Sequence, residues 1–188
     1  MRRTTLVLAL LAVSATASAS DFDYNYLTVG YGNTELDDIN VDGDAIGIGG
    51  SYALSNRYHV FAGYEMADMD FDVEVTTMAV GLGFNTAVSP VVDLVTRVSY
   101  QYLEAEVPGF GSADESGLGL GLGMRFAATE QLELDAGIDY VDLGDSDGTS
   151  FGIAGLYSFT NAFALGLGGS WGDDASAYSV SGRFYFGK

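Results

Sequence analysis

Residues 117–126 read Gly-Leu-Gly-Leu-Gly-Leu-Gly-Met-Arg-Phe, with an apolar side chain at every second position. Successive side chains of a β-strand point to opposite faces. Leu118, Leu120, Leu122, Met124 and Phe126 therefore share one face, and Gly117, Gly119, Gly121, Gly123 and Arg125 share the other. A sheet in a soluble protein turns its large apolar residues into a core and its small or charged ones to water. Here the alternation recurs along the whole chain, with aromatic residues at both ends of each apolar stripe. That arrangement predicts a barrel turned inside out, with its apolar face toward lipid.

The stretch Thr4–Val13 is the nearest approach to an apolar helix, and it is too short for a membrane span, which needs about 20 residues. Arg2 and Arg3 precede it and Ala17-Ser18-Ala19 follows, the composition of a secretory signal peptide. Residues 1–19 are expected to be that peptide, cleaved after Ala19 with Ala17 as the alternative, and residues 20–188 to form one barrel domain. The sequence has no Cys, which removes disulfide frameworks and thiolate metal sites. Without Arg2 and Arg3, five basic residues face 26 acidic ones, a formal charge of about −21. Such a charge excludes nucleic acid as partner, because phosphate binding needs clustered Lys and Arg.

Ten segments alternate as strands: Phe22–Asn33, Asp44–Leu54, Tyr58–Met66, Val73–Phe84, Val91–Leu103, Gly117–Phe126, Gln131–Asp142, Thr149–Phe159, Ala162–Gly172 and Ala177–Phe186. Strands of this length suit a tilted crossing of a bilayer, which takes about 9–11 residues. The expected fold is all-β: a closed antiparallel up-and-down transmembrane β-barrel of ten strands, or of eight if the segment around Phe71–Val75 merges. Predicted connectors alternate between short turns and longer acidic loops, Thr34–Gly43, Ala67–Asp72, Glu104–Ser116, Leu143–Gly148 and Asp173–Ser176. Short periplasmic turns and longer external loops characterise such barrels. For the first strand, either Leu27, Val29 and Tyr31 or Phe22, Tyr24 and Tyr26 could face lipid; the former places Tyr31 in the outer aromatic belt. On these faces Leu120→Arg should block insertion, and Gly121→Ser, on the lumenal side, should be accepted.

Tyr24-Asn25-Tyr26 with Gly30-Tyr31, Gly50-Ser51-Tyr52-Ala53-Leu54, Phe61-Ala62-Gly63-Tyr64 and the final alternating strand make the chain resemble small bacterial outer-membrane β-barrel proteins. These are the OmpA/OmpX-like, opacity-type superfamily, and the likeness is nearest to short xanthomonad-type outer-membrane proteins. The resemblance spans the mature chain. It implies export through the periplasm to a Gram-negative outer membrane, contact with lipid and lipopolysaccharide, and insertion by the barrel-assembly machinery. That machinery reads a terminal aromatic residue, here Phe186 ahead of Gly187 and Lys188.

Small lumenal residues, among them Gly47, Gly49, Ala79, Gly81, Gly83, Gly152, Ala154 and Gly168, leave room for inward charges. Asp93, Arg97, Arg125, Glu133, Asp135, Asp139 and Arg183 are expected to form a lumenal charge cluster, since charges inside a barrel persist when paired or hydrated. Paired, they plug the interior; hydrated, they line a narrow path. Gly-x-Gly-x-Gly within one strand lacks the strand-to-helix turn of a phosphate site. His59, the sole histidine, falls near the periplasmic end, so it is expected as a wall residue; no catalytic triad is in prospect. Nineteen of the 26 acidic residues fall in or beside the predicted external loops, Glu65 among them. Asp68-x-Asp70-x-Asp72 and Asp145-x-Asp147 resemble fragments of calcium loops, making these five residues candidates for weak Ca²⁺ or Mg²⁺ capture; no other cofactor is expected. Two functions fit: a non-enzymatic structural or surface-interaction barrel presenting acidic loops, and a small cation-preferring channel.

Overall fold

The computed structural model describes residues 22–36, 41–144, 146–173 and 175–187. The expected signal peptide and its cleavage site lie outside them. Ten strands run in chain order: β1 (Tyr26–Leu36), β2 (Val41–Ala53), β3 (Tyr58–Met69), β4 (Val73–Ser89), β5 (Val92–Val107), β6 (Gly111–Ala127), β7 (Leu132–Asp142), β8 (Asp147–Thr160), β9 (Phe163–Gly172) and β10 (Ala175–Tyr185). Each pairs antiparallel with its neighbours in sequence, and β1 pairs with β10, so the sheet closes on itself. Closure leaves no edge strand, and that is what lets a sheet cross lipid without unsatisfied backbone groups.

The apolar stripes face outward. Ile46, Ile48, Leu118, Leu120, Leu122, Leu165 and Leu167 stand on the outer surface, Leu167 with 71% of its area uncovered. Leu27, Val29 and Tyr31 are outward on β1, the first of the two facings open to that strand. Among the described residues the buried apolar side chains are few, among them Leu156, Val95 and Ala164. Aromatic girdles bound the stripes. Tyr58 lies against Phe84 (ring centroids 5.3 Å apart), and Phe163 joins Phe159 (6.3 Å) to Phe184 (4.9 Å) near the inner turns. At the outer end Trp171 packs between Phe151 (6.3 Å) and Tyr178 (6.0 Å).

Two expectations need correction. The first strand begins at Tyr26 rather than Phe22. The external loops are mostly strand: β5 runs to Val107 and β6 starts at Gly111, leaving only residues 108–110 between them. Outside the bilayer both strand faces meet water, so the period-two signal that marks a half-buried strand disappears. The backbone ladder does not need that signal and continues. Gly109 and Gly111, at φ 81° and 93°, close the β5–β6 hairpin where side-chain-bearing residues would be strained. The extensions bring acids face to face, with Asp44 opposite Asp68, Asp68 opposite Glu74, and Glu74 opposite Glu106.

Candidate functional site

The lumen has a floor. Asp93, Arg125, Glu133, Asp135, Arg183 and His59 each lie within three residues of the inner end of their strands, so the register gathers them at one level. The Arg125 side chain reaches Glu133 at 2.7 Å and Asp135 at 3.9 Å. Arg183 reaches the same two carboxylates at 3.5 and 3.7 Å. Two guanidinium groups thus share two carboxylates, which is how buried charges are tolerated at all.

Residues 22–25, ahead of β1, complete the floor from within. The Arg125 guanidinium lies over the rings of Phe22 and Tyr24, at 4.9 and 4.6 Å, and donates to the backbone carbonyl of Asp23 at 3.1 Å. The Tyr24 hydroxyl donates to Asp93 at 2.9 Å, and its ring stacks on His59 at 4.6 Å. Asp93 is fully covered, and His59 and Arg125 keep 3% and 6% of their surface. The inner end thus carries a packed layer of charged and aromatic side chains. Sequence spacing could not show this plug, because nothing in an alternating Phe-x-Tyr-x-Tyr run says that it leaves the wall and folds under it.

Arg97 and Asp139, predicted in the same cluster, stand apart from it. They pair with each other at 3.4 Å halfway up the lumen, with 39% and 46% of their side chains accessible. Above the floor a cavity of about 740 Å³ extends along the lumen, lined by His59, Phe61, Glu65, Arg97, Asp139 and a bare wall that includes Gly30, Gly47, Gly63 and Gly152. Its walls reach Thr34, Ala45 and Ala177 near the outer ends of β1, β2 and β10. Among the described residues it forms a cup that stands on this layer and reaches toward the outer end.

Some lumenal glycines are seats rather than free space. Gly83 lies beneath the His59 imidazole and Gly81 beneath the Phe61 ring. Gly121 lies beneath the Arg97–Asp139 pair, so a side chain there would meet Asp139 Oδ1 and Arg97 Nε. Gly121 faces the lumen, and the atoms that a side chain there would meet are the movable ends of Asp139 and Arg97, so serine displaces that pair and not the backbone. By contrast, a Cβ on Gly63 would meet nothing within 4 Å.

The acidic side chains of the outer end are spread over strand extensions and turns. Glu65, on the inward face of β3, lines the cavity and is exposed there. Asp68 lies in the β3 ladder opposite Asp44 and Glu74. Asp70 accepts a hydrogen bond from the Asp42 amide at 3.3 Å, and Asp72 sits at φ 58° in the short turn after β3. Asp147 faces Asp142 at the start of β8, and Asp145 lies outside the described residues. Among the described residues no group of three or more His, Asp or Glu side chains is disposed to hold a metal ion. Asp68 thus stands in the β3 ladder, Asp70 and Asp72 in the short turn that follows it, and Asp147 at the start of β8.

The family profile described as outer membrane protein beta-barrel domain matches residues 5–168. No curated protein is significantly similar in sequence. Among solved structures, the chain is similar to the KdgM porin, with a TM-score of 0.50 at 10% identity over 85% of this chain and 99% of that one. It is also similar to Neisserial surface protein A, with a TM-score of 0.46, 17% identity, and 86% and 96% coverage. Ail, the attachment invasion locus protein of Yersinia pestis, gives a TM-score of 0.43, 15% identity, and 87% and 99% coverage.

Proposed function

The chain belongs to the outer-membrane protein β-barrel family, and from that premise we propose that it is a non-enzymatic surface barrel, closed to ions, that presents acidic hairpins outside the cell. It resides in the outer membrane of a Gram-negative bacterium. The observation that carries the reading is the floor of the lumen. Asp93 is completely covered, Tyr24 stacks on His59, and Arg125 is held by two carboxylates and two aromatic rings. An ion crossing this layer would have to break several charge-assisted contacts at once. His59 lies under the Tyr24 ring at the inner end, away from the surface-exposed end where external substrates arrive.

The test is single-channel recording of refolded protein in a planar bilayer at neutral pH and asymmetric salt. The expected result is a silent bilayer. Sustained open steps would overturn the closed reading and favour a channel. The cup supports that second reading in one respect: if the floor moved, the acidic rim would enrich cations over anions. The preference would be strong at low salt and fade toward 1 M, where screening acts within about 3 Å.

A further inference from the structure

Within the membrane the sheet has no edge, but outside it β6 outruns its neighbour. β7 ends at Asp142, which lies opposite Leu118, while the ladder with β5 continues to Gly111, opposite Val107. Residues 111–116 therefore have β5 on one side and, among the described residues, no strand on the other. By contrast, β4 and β5 are paired on both sides out to Glu74 and Glu106. Five of these six β6 residues are exposed, and a Cβ on Gly111 would meet nothing within 4 Å. In an antiparallel ladder alternate residues turn their N–H and C=O to each side. This stretch thus offers the backbone groups of about three residues to a further strand, over roughly 20 Å.

We propose that this edge binds an extended segment of a basic protein or peptide, which adds to the sheet as a strand beside β6. The inference deepens the surface-barrel reading above and rests on it for the placement of the hairpin outside the cell. Unpaired backbone groups accept any strand, and side chains restrict which one. Asp114 shares the outer face with Leu118 and Leu120, and Glu115 lies on the opposite face. Either face of an added strand would therefore have a carboxylate beside it. Glu104, opposite Asp114, and Glu106, opposite Glu74, carry the outer-face acid across the extension. The sequence has no Lys or Arg between Arg57 and Arg97 or between Arg97 and Arg125, so a cation for these carboxylates comes from another molecule. A second copy of this chain would set acids beside acids, which destabilises a ladder. Phe110, 92% exposed, stands at the outer end of the same edge, which favours apolar residues among the basic ones.

The probe is an end-blocked hexapeptide of alternating lysine and valine, matched in length to residues 111–116. It is titrated into the protein in zwitterionic nanodiscs at low salt and followed by amide exchange in NMR spectra. Binding should slow exchange at alternate amides of residues 111–116 and leave the β1–β2 extension as it was. A fully N-methylated version keeps the charges and loses the backbone donors, so it should bind roughly tenfold more weakly. The glutamate–valine peptide should be rejected. Asp114→Lys with Glu115→Lys, both outside the membrane, should reverse the preference, weakening the lysine–valine peptide about tenfold and admitting the glutamate–valine one. Asp42→Asn with Asp44→Asn, on β2, should leave affinity within about twofold, because exposed charges contribute little to a contact they do not make. Equal binding of the N-methylated peptide would overturn strand addition and reduce the contact to bulk charge. No binding of the lysine–valine peptide, or binding indifferent to charge reversal at 114 and 115, would overturn the edge as a site. The titration does not depend on whether the lumen conducts, which the bilayer recording decides, so the edge and the closed reading can fail separately.

Discussion

Leu120 and Gly121 are chain neighbours with opposite surroundings, lipid on one side and the Arg97–Asp139 pair on the other. Leu120→Arg should cost roughly 2–4 kcal/mol near the midplane, and the folded fraction after refolding into bilayers should fall accordingly. Gly121→Ser should fold, since the obstructing atoms are side-chain ends that can move, but it should split the pair and raise the accessibility of Arg97 to guanidine-directed reagents. A wild-type labelling rate would show that the pair does not occupy that seat. Deeper in the lumen, Tyr24→Phe removes the donor that Asp93 receives at full burial. An orphaned buried acceptor costs about 1–3 kcal/mol, so the midpoint of urea unfolding should drop, whereas the exposed Tyr52→Phe should leave it in place.

At the scale of the strand, the sequence carried the facing of residues and not the length of the elements. Wherever one face meets lipid, the period of two is unmistakable, and Ile46, Ile48, Leu165 and Leu167 are outward as their spacing requires. Beyond the bilayer Glu104, Glu106, Asp114 and Glu115 have water on both sides, so nothing in their order separates strand from loop. The lumenal cluster shows the same division. Inward facing was legible for Asp93, Arg125, Glu133 and Arg183, but the split that leaves Arg97 with Asp139 depends on register across strands, which composition does not encode. The extended hairpins also set like charges directly opposite each other, as at Glu74 and Glu106. Such pairs destabilise a ladder by roughly 0.2–1 kcal/mol each. The double variant Glu74→Gln with Glu106→Gln should therefore slow amide exchange in the β4–β5 extension, most at low salt; faster exchange would mean the carboxylates stabilise the hairpin.

For the molecule as a whole, closure predicts heat-modifiable mobility in detergent gels, with the unboiled protein running as a compact band; a single band before and after boiling would contradict a closed barrel. Nine of the ten ladders join strands adjacent in sequence, while the seam brings Tyr26 to Tyr185 and Leu36 to Ala175. The nine are hairpins that can zip in succession. The tenth has to find its partner across nearly the entire chain, and contacts of such separation form slowly. Opening that clasp in lipid would expose two unpaired strand edges, which hydrocarbon penalises. Forward and reverse titrations with denaturant should therefore fail to superimpose, tracing a hysteresis loop whose width shrinks when β1 and β10 are tethered, so that persistence in the membrane is governed by the rate at which one seam lets go.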